Sequence, residues 1–267
     1  MVHDPDTFDT AMAAWQEWQE APWGRLRYAL AEANLVRDLG DGCGAGPRRI
    51  LDLAGGDGGD ALRLAARGHL VTVVDHAPAM LAAAEARAAE RGLSDRVTCV
   101  RADVHAMPVD LVEGDFDVVL CHNLLPYVED AATTLAAVLA PLGEGGLLSV
   151  MAINRHSAPL NIAVREANPA AALAALDEGR LQNEMFDSQL ALHTAEEIIP
   201  VLGELGCEDV RHYGIRSFCD YLTDDARKYD ESYYADLERL ELATTARPPY
   251  MHTARLFQLT ARRRKVS

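Results

Sequence analysis

Four glycines and two aspartates crowd into Gly55-Gly56-Asp57-Gly58-Gly59-Asp60, directly after the apolar run Ile50-Leu-Asp-Leu-Ala54. Glycine lets a backbone approach a ligand closely and take positive φ, and a helix opening there presents unpaired N–H groups. The chemistry implied is capture of a polar metabolite at the end of a strand. Asp75 stands 20 residues beyond Gly55 at the end of the next apolar run. A carboxylate at that place accepts both hydroxyl hydrogens of an adenosine ribose. The turn alone also fits the dinucleotide fingerprint, since Gly56-Asp57-Gly58 is followed by Ala61. Two adenosine cofactors therefore stay open on this turn, a nicotinamide dinucleotide for an oxidoreductase or S-adenosylmethionine for a methyl transfer.

The elements that must position these groups are short β-branched runs alternating with helical patterns from residue 49 to about 153, the signature of parallel βαβ units. Strands are predicted at Arg49 to Ala54, Leu70 to Asp75, Val97 to Ala102, Phe116 to Cys121 and Gly146 to Ile153. Two more strand-like runs follow at Val210 to Phe218 and Ala254 to Arg263. The fold class is α/β, a doubly wound and mostly parallel sheet. Residues 1–45 read as a helical cap or lid, with packing on the sheet edge as the alternative. Residues 46–267 read as the catalytic domain, with insertions at about 154–193 and 221–248, the first of them irregular. Thr194 with Glu197 is a reciprocal capping pair opening a helix to Leu205.

Asp52 before the turn, Ala102-Asp103-Val104 after the third strand, and Phe116-Asp-Val-Val-Leu120 leading to His122-Asn123 complete a series of motifs. Over residues 49–153 this series resembles class I S-adenosylmethionine-dependent methyltransferases. The resemblance implies a Rossmann-like sheet of seven strands, closed by a C-terminal antiparallel hairpin whose last strand inserts beside the fifth. It implies S-adenosylmethionine held by Gly55, Gly56, Asp57 and Gly58, by Asp75 with His76 and Met80, and by Ala102, Asp103 and Val104. Asp57 would lie near the methionine end, Asp75 on the ribose and Asp103 on the adenine amine. Ala54 departs from the family, which generally has glycine there.

Gly24-Arg-Leu-Arg27, Ala66-Arg-Gly-His69, Gly214-Ile-Arg-Ser-Phe-Cys-Asp-Tyr-Leu222 and Pro249-Tyr250 running on to Arg255 extend the likeness. Across nearly the whole chain they resemble the bacterial tRNA methyltransferases that esterify 5-carboxymethoxyuridine at the wobble position. That resemblance implies Arg27 on the cofactor carboxylate and His122 in the same pocket. Where those enzymes carry a lysine-rich stretch, this chain has Leu176-Asp-Glu-Gly-Arg-Leu-Gln-Asn-Glu184, which repels phosphates. A small-molecule acceptor is accordingly preferred over tRNA.

A carboxylate acceptor requires no general base, whereas a phenol, amine or carbon acceptor benefits from one. His122 and His156 are the candidates for a proton role and Tyr127 lies on the same rim, with packing or capping as the alternative for each. Trp23, Tyr127, Asn154, Arg216, Tyr250 and Arg255 are the expected acceptor contacts, with Arg216 or Arg255 clamping a carboxylate through paired hydrogen bonds unless they form surface salt bridges. The 267 residues carry a formal net charge of −16, which disfavours DNA and other broad phosphate surfaces. No apolar run reaches the roughly 20 residues of a membrane span, and the acidic start MVHDPDTFDT lacks the features of a secretory signal. A cytoplasmic protein is expected. Cys43, Cys99, Cys121, Cys207 and Cys219 are scattered without metal-ligand spacing and read as reduced structural thiols, so no metal is expected.

Overall fold

The computed structural model describes residues 12–40, 46–183 and 188–265; Cys43 and Glu184 lie outside them. In chain order the strands are β1 (Arg49–Leu53), β2 (Leu70–Asp75), β3 (Val97–Arg101), β4 (Phe116–His122), β5 (Leu142–Ile153), β6 (Arg180–Asn183), β7 (Ser188–Ala191), β8 (Cys207–Ile215) and β9 (Leu256–Arg263). All but β6 and β7 form one sheet of seven, in the order β3-β2-β1-β4-β5-β9-β8. Strands β1 to β5 run parallel, and β9 lies antiparallel between β5 and β8. The expected hairpin is present, with the last strand inserted beside the fifth.

Strands such as Arg49-Ile-Leu-Asp-Leu53 are buried along almost their whole length, because helices cover both faces of a parallel sheet. One core layer gathers Leu51, Val119, Leu135, Leu148 and Phe257, and the other gathers Ile50, Leu64, Val73 and Leu120. A third apolar cluster seats Leu26, Leu30 and Ala31 of helix Pro22–Leu39 on Met151, Ile215 and Leu256. The chain leaves β1 toward β2 and then returns through β4 on the other side, so a crevice opens at the carboxyl ends of β1 and β4.

The structure differs from the sequence reading at several boundaries. β1 stops at Leu53 because Ala54 already has a φ of 54°, and β8 stops at Ile215 because Arg216 has a φ of 62°. β5 starts at Leu142, since the turn before it pairs Phe116 with Leu142 across a register shift. The described residues of 154–193 are not irregular. They form helices Ser157–Arg165 and Pro169–Ala174 and the separate hairpin of β6 and β7. The elements are too short for periodicity to reveal them, although Asn168 caps the second helix by accepting from the Ala171 amide.

The Thr194 and Glu197 capping box forms as expected at helix Ala195–Glu204. Helix Met12–Glu20 is set off from helix Pro22–Leu39 at Ala21, where Pro22 has no N–H to continue the ladder. Cys121, Cys207 and Cys219 are buried free thiols. Among the described residues no helix is long and apolar enough to cross a membrane.

Candidate active site

Three residues of the turn after β1 take left-handed φ, namely Ala54, Gly56 and Gly58. Gly55 is required by space: a Cβ there would lie 2.8 Å from the Asp52 carboxyl and 2.9 Å from Val73. The turn is locked to β2, since the Gly56 amide donates to Asp75 Oδ2 at 2.9 Å and the Ala77 amide to Oδ1 at 2.9 Å. Asp75 keeps lone pairs for further donors, because each carboxylate oxygen accepts more than one bond.

The crevice is a cavity of about 890 Å³. Of the expected donor-site residues, Arg27, Gly55, Gly56, Asp57, Asp75, His76, Met80, Ala102, Asp103, Val104 and His122 line it. Gly58 does not. It is the N-cap of helix Gly59–Ala66, and its Cα faces Ala84 and Leu62. The Asp57 carboxylate is already engaged by Arg87, by Gln19 Nε2 at 2.7 Å and by Trp15 Nε1 at 3.3 Å. It therefore fastens the tryptophan helix Met12–Glu20 over the turn.

Asp60 sits behind this turn and accepts from Arg27 Nη1 at 2.6 Å, with His122 Nδ1 at 2.8 Å from the same oxygen. Burial raises a carboxyl, yet the charge of Arg27 and the hydrogen bonds from His122 and Arg27 hold Asp60 well below the usual carboxylate range. Burial likewise pulls the Arg27 guanidinium down, and Asp60 reverses it, leaving Arg27 above its ordinary value. Asp52 goes the other way, pushed well above the carboxylate range by burial and then by the charge of Asp60.

Arg27 Nε, Asp52 Oδ2 and Asn123 Oδ1 are buried with no hydrogen-bond partner. Buried polar atoms are rarely left so. A cationic donor, a carboxyl and an amide oxygen around one crevice fit a ligand carrying both a carboxylate and an ammonium. The amino-acid end of S-adenosylmethionine is such a group, and Asp75 with the glycine turn fits its ribose.

Elsewhere in the lining lie Arg216 and Arg255, which share one carboxylate. Arg216 Nε is 2.9 Å and Arg255 Nε 3.9 Å from Asp220. Arg216 also lies over the Trp18 ring at 5.7 Å. Its left-handed φ is held by Glu241, which accepts from the amides of Ser217, Phe218 and Cys219 at 2.6, 2.9 and 2.8 Å. Tyr127 lines the cavity as well, and burial pushes its phenol up to about 12.

Four expected contacts lie elsewhere. His156 is half exposed and its Nε2 is 3.5 Å from Glu196; its backbone closes the turn on Asn154 Oδ1, which carries the ring outward. Asn154 is buried and spends its amide on the carbonyls of His252 and Ala254, at 2.9 and 3.0 Å. Trp23 packs edge to face with Tyr229, and Tyr250 lies against Phe218 at the surface. Asp60, Trp15, Trp18 and Tyr28 line the cavity without having been singled out. The spacing of Trp15 and Trp18 on one helical face was the available signal.

Residues 50–146 match the family described as a methyltransferase domain. The chain is 29% identical over 246 residues to the tRNA 5-carboxymethoxyuridine methyltransferase of Escherichia coli strain K12, covering 90% of this chain and 89% of that protein. Magnesium protoporphyrin IX methyltransferase from Synechocystis, solved with bound S-adenosylhomocysteine, superposes with a TM-score of 0.62 at 15% identity over 97% of each chain. Geranyl diphosphate C-methyltransferase from Streptomyces coelicolor gives 0.57 at 18% identity, covering 87% of this chain and 78% of that one. The ambiguity of the glycine turn is thereby resolved in favour of the sulfonium donor: residues 50–146 belong to the methyltransferase-domain family, and the fold is that of class I S-adenosylmethionine-dependent methyltransferases.

Proposed function

We propose that this enzyme methylates the carboxylate of a small acid with an apolar body. The observation that carries the reading is the sharing of Asp220 by Arg216 and Arg255. Two guanidinium charges against one carboxylate leave this part of the cavity short of an anion, and paired N–H groups suit a carboxylate. Ile153, Ala158, Ile162, Leu181, Leu190 and Leu256 supply apolar wall. Leu181 and Leu190 belong to the β6 and β7 hairpin, so the insertion covers the cavity, which supports a small acceptor.

When bound, S-adenosylmethionine supplies an electrophilic methyl on a cationic sulfur. An acceptor carboxylate would take that methyl on one oxygen, the electrons of the broken carbon–sulfur bond remaining on sulfur. No proton moves. The chain's residues have to orient the acid, exclude water and bring the two groups into line. With His156 turned out to Glu196, the remaining candidates for proton abstraction, His122 and Tyr127, are poorly disposed to it. His122 has both ring nitrogens engaged, by Asp60 and by Ser149 at 2.8 Å each, and the Tyr127 phenol is raised.

A second reading, esterification of 5-carboxymethoxyuridine in tRNA, is favoured by the end-to-end likeness to the Escherichia coli enzyme. It uses the same arginine pair. The test is incubation with methyl-labelled S-adenosylmethionine and either bulk tRNA or a low-molecular-weight cell extract. Label in the small-molecule fraction that mild base releases as methanol is expected. Base-stable label would refute carboxyl transfer, and base-labile label confined to tRNA would refute the small acceptor.

A further inference from the structure

We infer that Asp60 and Ser149 are positioning residues of the donor site, fixing one tautomer of His122 and holding Arg27 for the amino-acid end of S-adenosylmethionine. The inference rests on the donor assignment and is independent of the acceptor. It starts from Gln258 on β9, which is fully buried. Its amide nitrogen lies 3.2 Å from the Ala31 carbonyl, which can only accept, and 3.0 Å from Ser149 Oγ. Its oxygen accepts from Asn34 Nδ2 at 3.0 Å. The orientation of Asn34 is set in turn by Arg37, which can only donate and lies 3.4 Å from Asn34 Oδ1.

Ser149 Oγ thus accepts from Gln258, and its own proton goes to the other neighbour, His122 Nε2 at 2.8 Å. Nε2 is then the acceptor of the ring and Nδ1 carries the proton, which it donates to Asp60 Oδ2. Placing a proton on Nε2 instead would leave the buried Ser149 hydroxyl with no acceptor, the more costly arrangement. A free histidine side chain favours the opposite tautomer, so the site imposes this one. Asp60 Oδ2 accepts from two donors at once, the His122 ring and the Arg27 guanidinium. With Arg27 Nη1 committed there, its unpartnered Nε marks the part of the fork left for a ligand carboxylate.

Asparagine replaces this carboxylate only in part: in Asp60→Asn an amide oxygen in the place of Oδ2 still accepts from both His122 and Arg27, but the negative charge that fastens the Arg27 guanidinium is gone. The first measurement is the long-range proton–nitrogen NMR spectrum of the wild-type protein, with the His122 signals assigned by their loss in His122→Gln. The Nδ1–H pattern is expected at neutral pH, and an Nε2–H pattern or a doubly protonated ring would overturn the inference.

The second is calorimetry with two probes, S-adenosylhomocysteine and adenosine, which lacks the amino-acid end. Asp60→Asn should bind S-adenosylhomocysteine about tenfold more weakly, because the charge-assisted hydrogen bond that holds Arg27 becomes one to a neutral oxygen, while adenosine binding holds. Equal losses for both probes, or none for either, would reduce Asp60 to a folding role and sink the proposal. Ser149→Ala should shift the Nε2 resonance and Ser149→Thr should restore it, since only the hydroxyl matters. An unchanged ring spectrum in Ser149→Ala would overturn the Ser149 part even if Asp60→Asn failed to fold.

Discussion

His212 lies on β8 between the rings of His252 and Phe257, with centroids at 5.3 and 6.5 Å, and its Nε2 is buried without a partner. Burial, and then the charge of His252, lower it from 6.5 to about 4, against a smaller opposing pull from Glu196. The unfolded chain takes up this proton near pH 6.5 and the folded protein only near pH 4. Stability should therefore fall as pH drops through that window and level off below it. At pH 5 the loss is roughly 1–2 kcal/mol, reduced from the full linkage value because the ring is partly solvated. Urea unfolding of wild type and His212→Gln at pH 7 and pH 5 checks it, the variant losing less. At this scale the sequence disclosed residues whose chemistry is local, such as Gly55 and Asp75, because strand, turn and ligand contact follow one another along the chain. It did not disclose Asp60 as the partner of His122, 62 positions away, or the turning of His156 toward Glu196. The first relation exists only once β1 and β4 are side by side, and the second only once the chain before helix Ala195–Glu204 returns to the end of β5.

The corner at Pro22 is a property of two helices together. Pro22 leaves the Trp18 carbonyl without its usual N–H partner, and Gly24 fits on the inside of the bend. A Cβ on Gly24 would stand 2.2 Å from the Trp18 oxygen and 2.7 Å from the Gln19 oxygen. Alanine improves helix propensity by about 0.8–1 kcal/mol, but a clash with backbone typically costs about 1–3 kcal/mol, so the clash wins. Gly24→Ala should lower stability and displace Trp15 and Trp18, which stack at 5.1 Å against the cavity. Denaturant unfolding and tryptophan emission measure both effects, and an unchanged spectrum with unchanged stability would mean that the corner relaxes freely. Elements with a strong period or a strong cap were legible, including β2 at its full extent and the Thr194 capping box. The β6 and β7 hairpin was not, because four-residue strands carry too little alternation to stand out from a loop.

The whole molecule carries a formal charge of −16, and like charges repel most in the compact state. Raising salt from about 10 to about 150 mM shortens the screening length from about 30 to about 8 Å. The melting temperature should rise by a few degrees over that range, a modest gain for a domain of this size. Differential scanning calorimetry reads it directly, and a fall would show that attractive ion pairs outweigh the net repulsion. One further consequence concerns biosynthesis. β9 is made after every other strand of the main sheet, yet it belongs between β5 and β8. Until it emerges, both neighbours expose unpaired edges that invite pairing with another nascent chain. The same strand carries Leu256 and Gln258 and follows directly on Arg255. A polypeptide stalled just before Arg255 would lack one of its two acceptor arginines and the Gln258 end of its donor relay together, and would be the species most prone to aggregate.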